Sequence, residues 1–315
     1  MFSVAEKKEI NYQQFEDIKV STKTYTASTN LNINLNKLFK RIKKKYDDDK
    51  QYICSKIPGL DKINKIKKIK DEFEIPYGSI LKCKWMDEEI CVFDQPVAKT
   101  NKKWFRNSMT IVLFLDKKIN FKICKNGTFQ LTGCKKFTHP ENCIKFIWNI
   151  IKFNKKIYNF HRGSHLEVYV IPAMRNIDFS LGFFVDREKL AEYINSLDEY
   201  NCMLETSFGY TGVNIKVPYV KKITELTVKK IISSTLIQDD WNVIKVNYNE
   251  YLNILPDKDI EKKKKIVRYN TFLVFHSGRS ILSGLNSFFM RDAYYYFIDI
   301  IKKCKNDIEE NLCVD

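Results

Sequence analysis

The side chains in this sequence that could ligate a metal or catalyse a reaction are spaced in ways that favour neither role. His161 and His165 have the i, i+4 spacing of ligands on a helix, but Gly163 lies between them and a strand-like segment follows, which predicts a loop. The nine cysteines include no CxxC pair, which indicates reduced, mostly buried thiols and no structural zinc site. Asp239–Asp240 and the acidic cluster at 46–49 lack the partner residues of a metal site or an acid–base pair. We therefore expect no enzyme activity, no metal and no cofactor.

The cationic side chains point to binding instead of catalysis. Lys and Arg number 54 against 38 Asp and Glu, a formal charge of +16, which favours an anionic partner, nucleic acid first and an acidic membrane surface second. The N-terminus lacks the pattern of a signal peptide, and aliphatic runs such as Ile111–Leu115 are far too short to span a membrane. We expect a soluble intracellular protein with no membrane partner.

Two segments of the chain repeat each other and predict the secondary structure that would position these cationic side chains. Residues 119–133 and 270–284 align at an offset of 151, so that Gly127 falls on Gly278 and Gly133 on Gly284. Each segment predicts a β-hairpin, because Asn126-Gly127 and Ser277-Gly278 lie between alternating strands where a tight turn needs a positive φ. A direct repeat near half the chain length indicates two tandem copies of one unit.

Helices and further strands complete each copy. A helix follows each hairpin, with apolar residues at helical spacing in Ile144, Ile147, Trp148 and Ile151 and in Met290, Ala293, Tyr294 and Phe297. An earlier helix is predicted in each copy after the N-caps Asn34 and Asp186, and its apolar stripes, from Leu35 and from Leu190, align at an offset of 155. Strand-like segments lie at Ile18–Thr29, Val168–Phe184, Ile80–Trp85 and Val213–Val217.

The predicted fold is therefore α+β, with two tandem repeats that each contain an antiparallel sheet with two helices on one face. The predicted divisions are an N-terminal tail at 1–14, a first repeat at 15–157 with a lysine-rich insertion, a second repeat at 166–309 with an insertion around 218–265, and a C-terminal tail at 310–315. Lysine runs such as those at 43–45 and 262–265 are more often solvent-exposed faces than contact sites for a partner.

The duplicated order of elements resembles the saddle-shaped TATA-box-binding proteins, and more closely the divergent versions encoded by large DNA viruses. The family's F-x-S-G-[KR] hairpin is matched by Phe275, Ser277, Gly278 and Arg279, and its T-G-x-K by Thr132, Gly133 and Lys135. The segment Tyr210–Val217 resembles the family's second strand, and Tyr77–Leu81 resembles it weakly. By this resemblance each half of the sheet would contribute to one saddle.

The resemblance also implies which residues meet DNA. The family's four ring positions, which are wedges between base steps, correspond to Tyr77, Cys124, Tyr210 and Phe275. The family's asparagine in the first strand of each half corresponds to Asn176 in the second copy and to Thr22 in the first. The other candidate DNA-binding residues, on the strand faces away from the helices, are Lys122, Thr132, Lys216, Leu273, Arg279, Ile281 and Ser283.

Strand alternation predicts that the two copies differ on this face. Phe121, Ile123, Phe129 and Leu131 should pack on helices in the first copy, as should Phe272, Val274 and Leu282 in the second. The opposite face is polar in the first copy and largely apolar, with Phe275, in the second. We expect the C-terminal half to bend DNA and the N-terminal half to depend more on hydrogen bonds and charge.

The resemblance implies a function in transcription initiation. The protein would bind and bend AT-rich promoter DNA through the minor groove, and recruit a B-type initiation factor and a multisubunit RNA polymerase, as a monomer with an internal pseudo-dyad. Its place would be a host nucleus, a cytoplasmic viral replication compartment or the virion. Two alternatives remain open: an adaptor that binds a protein or polymerase subunit, and a nucleic-acid enzyme with this fold as its substrate-binding domain.

Overall fold

The computed structural model of the chain describes residues 11–56, 75–91, 106–197, 200–204, 212–233 and 240–310. Fifteen strands are present in these residues: β1 (Val20–Thr29), β2 (Leu31–Ile33), β3 (Ser79–Trp85), β4 (Glu88–Cys91), β5 (Ser108–Phe114), β6 (Lys118–Cys124), β7 (Thr128–Cys134), β8 (Tyr158–Phe160), β9 (Leu166–Ser180), β10 (Asn201–Leu204), β11 (Gly212–Pro218), β12 (Thr227–Ser233), β13 (Trp241–Asn247), β14 (Tyr269–Phe275) and β15 (Arg279–Gly284). The helices are α1 (Leu35–Lys56), α2 (Thr138–Ile151), α3 (Arg187–Asn195), α4 (Tyr248–Leu252), α5 (Asp257–Lys265) and α6 (Ser287–Ile308).

The chain forms two compact units. The N-unit comprises residues 24–173 and 226–251, and the C-unit comprises residues 1–23, 174–225 and 252–315. The predicted repeat boundaries stay a prediction, since the units are defined by contacts and not by the order of the repeats. The lysine-rich segment at 62–70 and most of the tails at 1–14 and 310–315 lie outside the described residues.

The N-unit contains an antiparallel sheet in the order β1-β7-β6-β5-β3-β4. Helices α1 and α2 pack on one of its faces, where α1 contacts β3 and β5 and α2 contacts β7. The core includes Phe121 and Phe129, whose rings stack with their centroids 6.4 Å apart, and the helix residues Ile144 and Trp148. Strands β2 and β8 form a separate two-stranded antiparallel sheet.

The C-unit contains the antiparallel order β10-β11-β14-β15-β9. Helix α6 packs on β14 and β15, and α3 packs on β10 and β11. Phe272 of β14 stacks on Phe297 of α6 at a centroid distance of 4.1 Å, in a core that also contains Val274, Leu282 and Tyr294. The two units together confirm the predicted α+β class with two repeats of an antiparallel sheet and two helices.

Matching hydrogen bonds show how closely the repeats correspond. The N–H of Ile33 donates to the carbonyl of Lys125 at 2.7 Å, and in the C-unit the N–H of Val185 donates to His276 at 2.8 Å. Asn34 and Asp186, which lie 152 residues apart, both cap a helix with a side-chain oxygen as predicted. The offset of 155 for the helical stripes is therefore wrong by almost one turn, because the N-cap fixes the register.

The insertion predicted around 218–265 contains ordered elements. Strands β12 and β13 form a hairpin, and β12 pairs with the first half of β9 within the N-unit. Lys229 of β12 forms an ion pair with Glu141 of α2, and Lys145 of α2 lies over the ring of Trp241. This hairpin therefore belongs to the N-unit, although its sequence interrupts the second repeat. The described residues contain no helix with the length and apolar character that crossing a membrane requires.

Candidate nucleic-acid interface

The face of the C-unit sheet that points away from the helices carries most of the predicted contact residues. Buried residues alternate with half-buried or exposed ones along β14, β15 and the end of β9, as the period of two requires. We call this side the C-unit open face. It contains seven of the predicted residues: Asn176, Lys216, Leu273, Phe275, Arg279, Ile281 and Ser283.

Strand register arranges these residues in rows across the C-unit open face. Leu273 lies opposite Ile281, and the same row continues to Asn214 on one side and Asp178 on the other. The next row joins Lys216, Thr271, Ser283 and Asn176. The apolar pair Leu273 and Ile281 is therefore flanked by groups that can donate or accept hydrogen bonds. Such a surface can contact the base edges at the bottom of a groove in duplex DNA.

Phe275 lies at the end of β14, opposite Gly212 at the start of β11. Its side chain is half-buried, whereas its strand neighbour Val274 is fully buried under the helices. The ring is therefore on the side expected of a wedge. Tyr210, the second ring predicted for this unit, lies outside the described residues.

Two asparagines on the C-unit open face have side-chain oxygens without a partner in the described part of the chain. The Oδ1 atoms of Asn176 and Asn214 are both buried and accept no hydrogen bond there. A buried polar atom left unpaired costs free energy. Asn214 was missed in the sequence analysis, although its alternation with Val213 and Ile215 was a readable signal.

The hairpin of β6 and β7 is polar on the corresponding face of the N-unit, as predicted, whereas the adjacent β5 places the half-buried Val112 and Phe114 there. The side chains that point away from α1 and α2 are exposed or half-buried: Asn120, Lys122, Cys124, Thr128, Gln130 and Thr132. Their strand neighbours Phe121, Ile123, Phe129 and Leu131 are buried in the core. Partial burial raises the pKa of the Cys124 thiol above its ordinary value against the opposing charge of Lys122. A neutral thiol therefore stands where the C-unit has a phenyl ring.

Tyr77 does not lie beside Cys124. It precedes β3, whose first residue Ser79 pairs with Phe114, and Phe114 lies opposite Lys118 at the far end of β6 from Cys124. The length of β6, about 20 Å at the usual rise, therefore separates the two positions. The hydroxyl of Tyr77 accepts a hydrogen bond from the Asn142 amide of α2 at 2.9 Å, which places it toward the helices.

The residues next to Cys124 come from a segment that the sequence analysis did not assign. Ser108 of β5 lies opposite Cys124 in the same register that places Gly212 opposite Phe275. Counted along the chain, Arg106 therefore takes the position that Tyr210 has in the second copy. The alternating Met109, Ile111 and Leu113 directly before the hairpin were the signal for this strand. The N-unit thus offers a cation where the second copy has an aromatic ring.

Comparisons with known proteins give two viral relatives. No protein-family model matches the chain. Over 216 residues, 64% of this chain and 62% of the relative, it is 27% identical to uncharacterized protein 335L of Invertebrate iridescent virus 6. Over 141 residues, 38% of this chain and 38% of the relative, it is 30% identical to a TATA-box-binding protein-like protein of Acanthamoeba polyphaga mimivirus. The chain spans less than two thirds of the length of either relative.

A solved structure is also similar to this chain. The chain is 12% identical to the Methanococcus jannaschii TBP, with a TM-score of 0.42 over 91% of this chain and 98% of that chain. The similarity to the mimivirus protein confirms the resemblance inferred from the two hairpins, since that relative is a TATA-box-binding protein-like protein.

Proposed function

We propose that this chain is a TATA-box-binding-protein-like transcription initiation factor that binds AT-rich promoter DNA through the minor groove and bends it. The C-unit open face is the observation that carries the proposal. Leu273 and Ile281 form an apolar centre, Phe275 stands at its end, and Lys216 and Arg279 add positive charge. An apolar ring that enters a base step and cations that meet phosphates are the two parts that minor-groove bending needs.

The N-unit would contribute to the same complex by different chemistry. Along the hairpin of β6 and β7 its open face offers hydroxyl, amide and ammonium groups. Among the described positions of β5, β6 and β7 on this face, the aromatic ring is the half-buried Phe114, which lies opposite Lys118 at the far end of β6 from Cys124. Such polar groups position a duplex through phosphates and groove acceptors without unstacking it. We therefore propose bending by the C-unit and polar contacts by the N-unit. Recruitment of a B-type initiation factor and RNA polymerase, in a nucleus, a viral replication compartment or a virion, belongs to the same proposal, as does the absence of catalysis.

An adaptor function is the second candidate. The polar N-unit open face, where Lys82 and Lys84 are already engaged by Glu89 at 2.6 and 3.3 Å, is a surface that a protein partner could cover. An adaptor would bind DNA weakly and without bending. Salt dependence separates the two functions, because a DNA complex with several phosphate contacts loses affinity steeply as salt rises.

Fluorescence-detected bending of an AT-rich duplex, compared with a GC-rich duplex at two salt concentrations, tests the proposal. The wild-type protein should bend the AT-rich duplex, and Phe275→Ala should bind with reduced affinity and no longer bend it. Phe288→Ala is the control, because Phe288 is a phenylalanine ring that is 45% exposed and lies on helix α6, not on the open face. Its bending should equal that of the wild type.

Each other outcome has a definite meaning. Salt-sensitive binding without bending would leave a basic DNA clamp and remove the wedge function of Phe275. Equal loss of bending in Phe275→Ala and Phe288→Ala would show a general loss of folding. No binding to either duplex would overturn the proposal and favour the adaptor.

A further inference from the structure

A carboxylate stands within the C-unit open face. Asp178 of β9 is exposed and lies directly opposite Ile281, at the end of the row that begins with Asn214 and Leu273. Among the described strand residues of the C-unit, Asp178 is the one acidic residue. A carboxylate on a surface proposed to face phosphates is unfavourable unless it has a specific partner.

The contacts of Asp178 within the protein are few. The hydroxyl of Ser21 donates to its Oδ1 at 3.4 Å and also to the backbone carbonyl of Asn176 at 3.2 Å, so this proton is shared and the bond to the carboxylate is long. No ion pair to Asp178 is formed by the described residues. The carboxylate therefore keeps acceptor capacity toward the open side of the sheet.

The minor groove offers one kind of group that such an acceptor could bind. A·T and T·A pairs present only acceptors there, namely adenine N3 and thymine O2, whereas a G·C pair adds the 2-amino group of guanine as a donor. An aspartate that faces A·T pairs would meet acceptors and gain nothing. Facing a guanine, it would accept a charge-assisted hydrogen bond.

We infer that Asp178 is a specificity-determining residue that accepts a hydrogen bond from the guanine 2-amino group, so that the preferred site contains one G·C pair within AT-rich DNA. This inference rests on the proposed minor-groove binding. It adds that the preferred DNA site contains one G·C pair among its A·T pairs. That G·C pair would contact the row of the sheet that contains Asp178 and Ile281. Asn176 and Asn214 lie on the same face, Asn214 in the row of Asp178 and Asn176 in the next row.

The inference also distinguishes the two repeats. The offset of 152 given by the helix caps relates Asp178 to Thr26 of β1. It relates Asn176 to Thr24, and not to the Thr22 that the resemblance indicated. A threonine has a neutral hydroxyl that can both donate and accept, so it does not require guanine. One G·C pair on one side of the site would therefore set the direction in which the protein binds.

A scan of single base pairs tests the inference. In an AT-rich duplex that the protein binds, each A·T pair in turn is replaced by G·C and, in a matched series, by inosine·C. Inosine lacks the 2-amino group and presents the same minor-groove edge as adenine. At one position the wild type should bind G·C about tenfold more tightly than inosine·C, the size of one charged hydrogen bond.

Variants assign this preference to Asp178. Asp178→Asn should reduce the preference, and Asp178→Val should reverse it, because the amino group would then be buried without an acceptor. Glu188→Gln removes the same charge from the helix α3 side of the C-unit and should leave the preference unchanged. A purely structural role of Asp178 would change affinity for all duplexes equally and would leave the ratio of G·C to inosine·C untouched.

The outcomes separate this inference from the proposed function. Equal affinity of the wild type for G·C and inosine·C at every position, with AT-rich DNA still bound and bent, overturns the inference alone. A preference that persists in Asp178→Val also overturns it. Failure to bind any of the duplexes overturns the proposed function instead.

Discussion

At the scale of single residues, the glycines of the two hairpins are required for different reasons. Gly127 has a φ of +70°, and a Cβ there would lie 2.4 Å from the backbone oxygen of Leu31. Gly133 has a similar φ of +74° but has no atom within 4 Å of such a Cβ. Gly284 has an ordinary φ, and its Cβ would collide with Met290 of α6 at 2.4 Å. The repeated glycine pattern therefore encodes both backbone conformation and close packing.

Alanine substitutions at Gly127 and Gly133 separate these two effects within one unit. Gly133→Ala should lower the free energy of unfolding by about 1 kcal/mol, the cost of a left-handed conformation for an L-residue. Gly127→Ala should cost at least about 2 kcal/mol, because the backbone of Leu31 must also move. Urea denaturation followed by circular dichroism measures both. Equal losses for the two variants would contradict the steric account.

The sequence predicted the positions of the candidate contact residues unevenly. The face on which Phe275 lies was predicted correctly, because its strand alternates clearly and places Phe272 and Val274 on the opposite face. Tyr77 was matched to a ring position by a weak local likeness, and the pairing of β5 with β6 shows that other residues lie beside Cys124. Strand pairing across long sequence separations is a tertiary property, so a local likeness could not reveal it.

At the scale of elements, the entry into helix α2 depends on a buried histidine. His139 is 2% exposed, and its Nδ1 accepts the backbone N–H of Lys135 at 3.3 Å while Nε2 lies 2.7 Å from Asp116. This arrangement suits a neutral ring that donates from Nε2. Burial lowers the pKa of His139 below its ordinary value, although the carboxylate of Asp116 acts in the opposite direction.

Acidification should therefore destabilise the N-unit. Because the pKa of His139 is lower in the folded state, its stabilising effect is complete above the unfolded value of 6.5 and is lost as the pH falls below it. The melting temperature should drop between pH 7.5 and pH 5.5, and His139→Asn should show a smaller drop. His165→Asn, at an exposed site, should keep the wild-type dependence. An unchanged slope in His139→Asn would contradict this assignment.

Elements were more predictable than contacts. The N-caps Asn34 and Asp186, the hairpin turns and the buried stripes of α2 and α6 were all correct, since each depends on residues a few positions apart. The insertion around 218–265 was expected only as loops or added elements, and its hairpin packs within the N-unit. Charged residues such as Lys229 and Lys230 make this strand hard to predict from the sequence. Their ion-pair partners, Glu141 and Glu167, lie far away in sequence, so a local pattern does not reveal them.

At the scale of the whole molecule, both ends of the described chain belong to the C-unit. Phe15 and Ile18 are buried in its core, and the Tyr294 hydroxyl of α6 donates to the carbonyl of Gln13 at 2.6 Å. The side chain of Arg291 donates to Glu16 at 2.6 Å. Residues before the first strand are therefore part of the second repeat's core, a connection that no local sequence pattern indicates.

Truncating Phe15 should accordingly destabilise the C-unit. Phe15→Ala removes a ring 3% exposed that packs against Tyr294, which should cost about 3 kcal/mol of unfolding free energy. Phe153→Ala, at a ring 72% exposed, should change stability by less than about 0.5 kcal/mol. Thermal unfolding monitored by circular dichroism compares the two. Equal effects would show that the N-terminal segment does not contribute to the core.

The packing of residues 11–18 against α6 affects how the C-unit can fold during synthesis on the ribosome. Phe15 can be covered only after Ser287–Ile308, which lie far later in the chain, have been made. The C-unit core can therefore close only after α6 has been synthesised, and a long loop must then be brought together at a cost in entropy. A nascent chain stopped before α6 exposes Phe15 and Ile18, and it would be a ready client for chaperones.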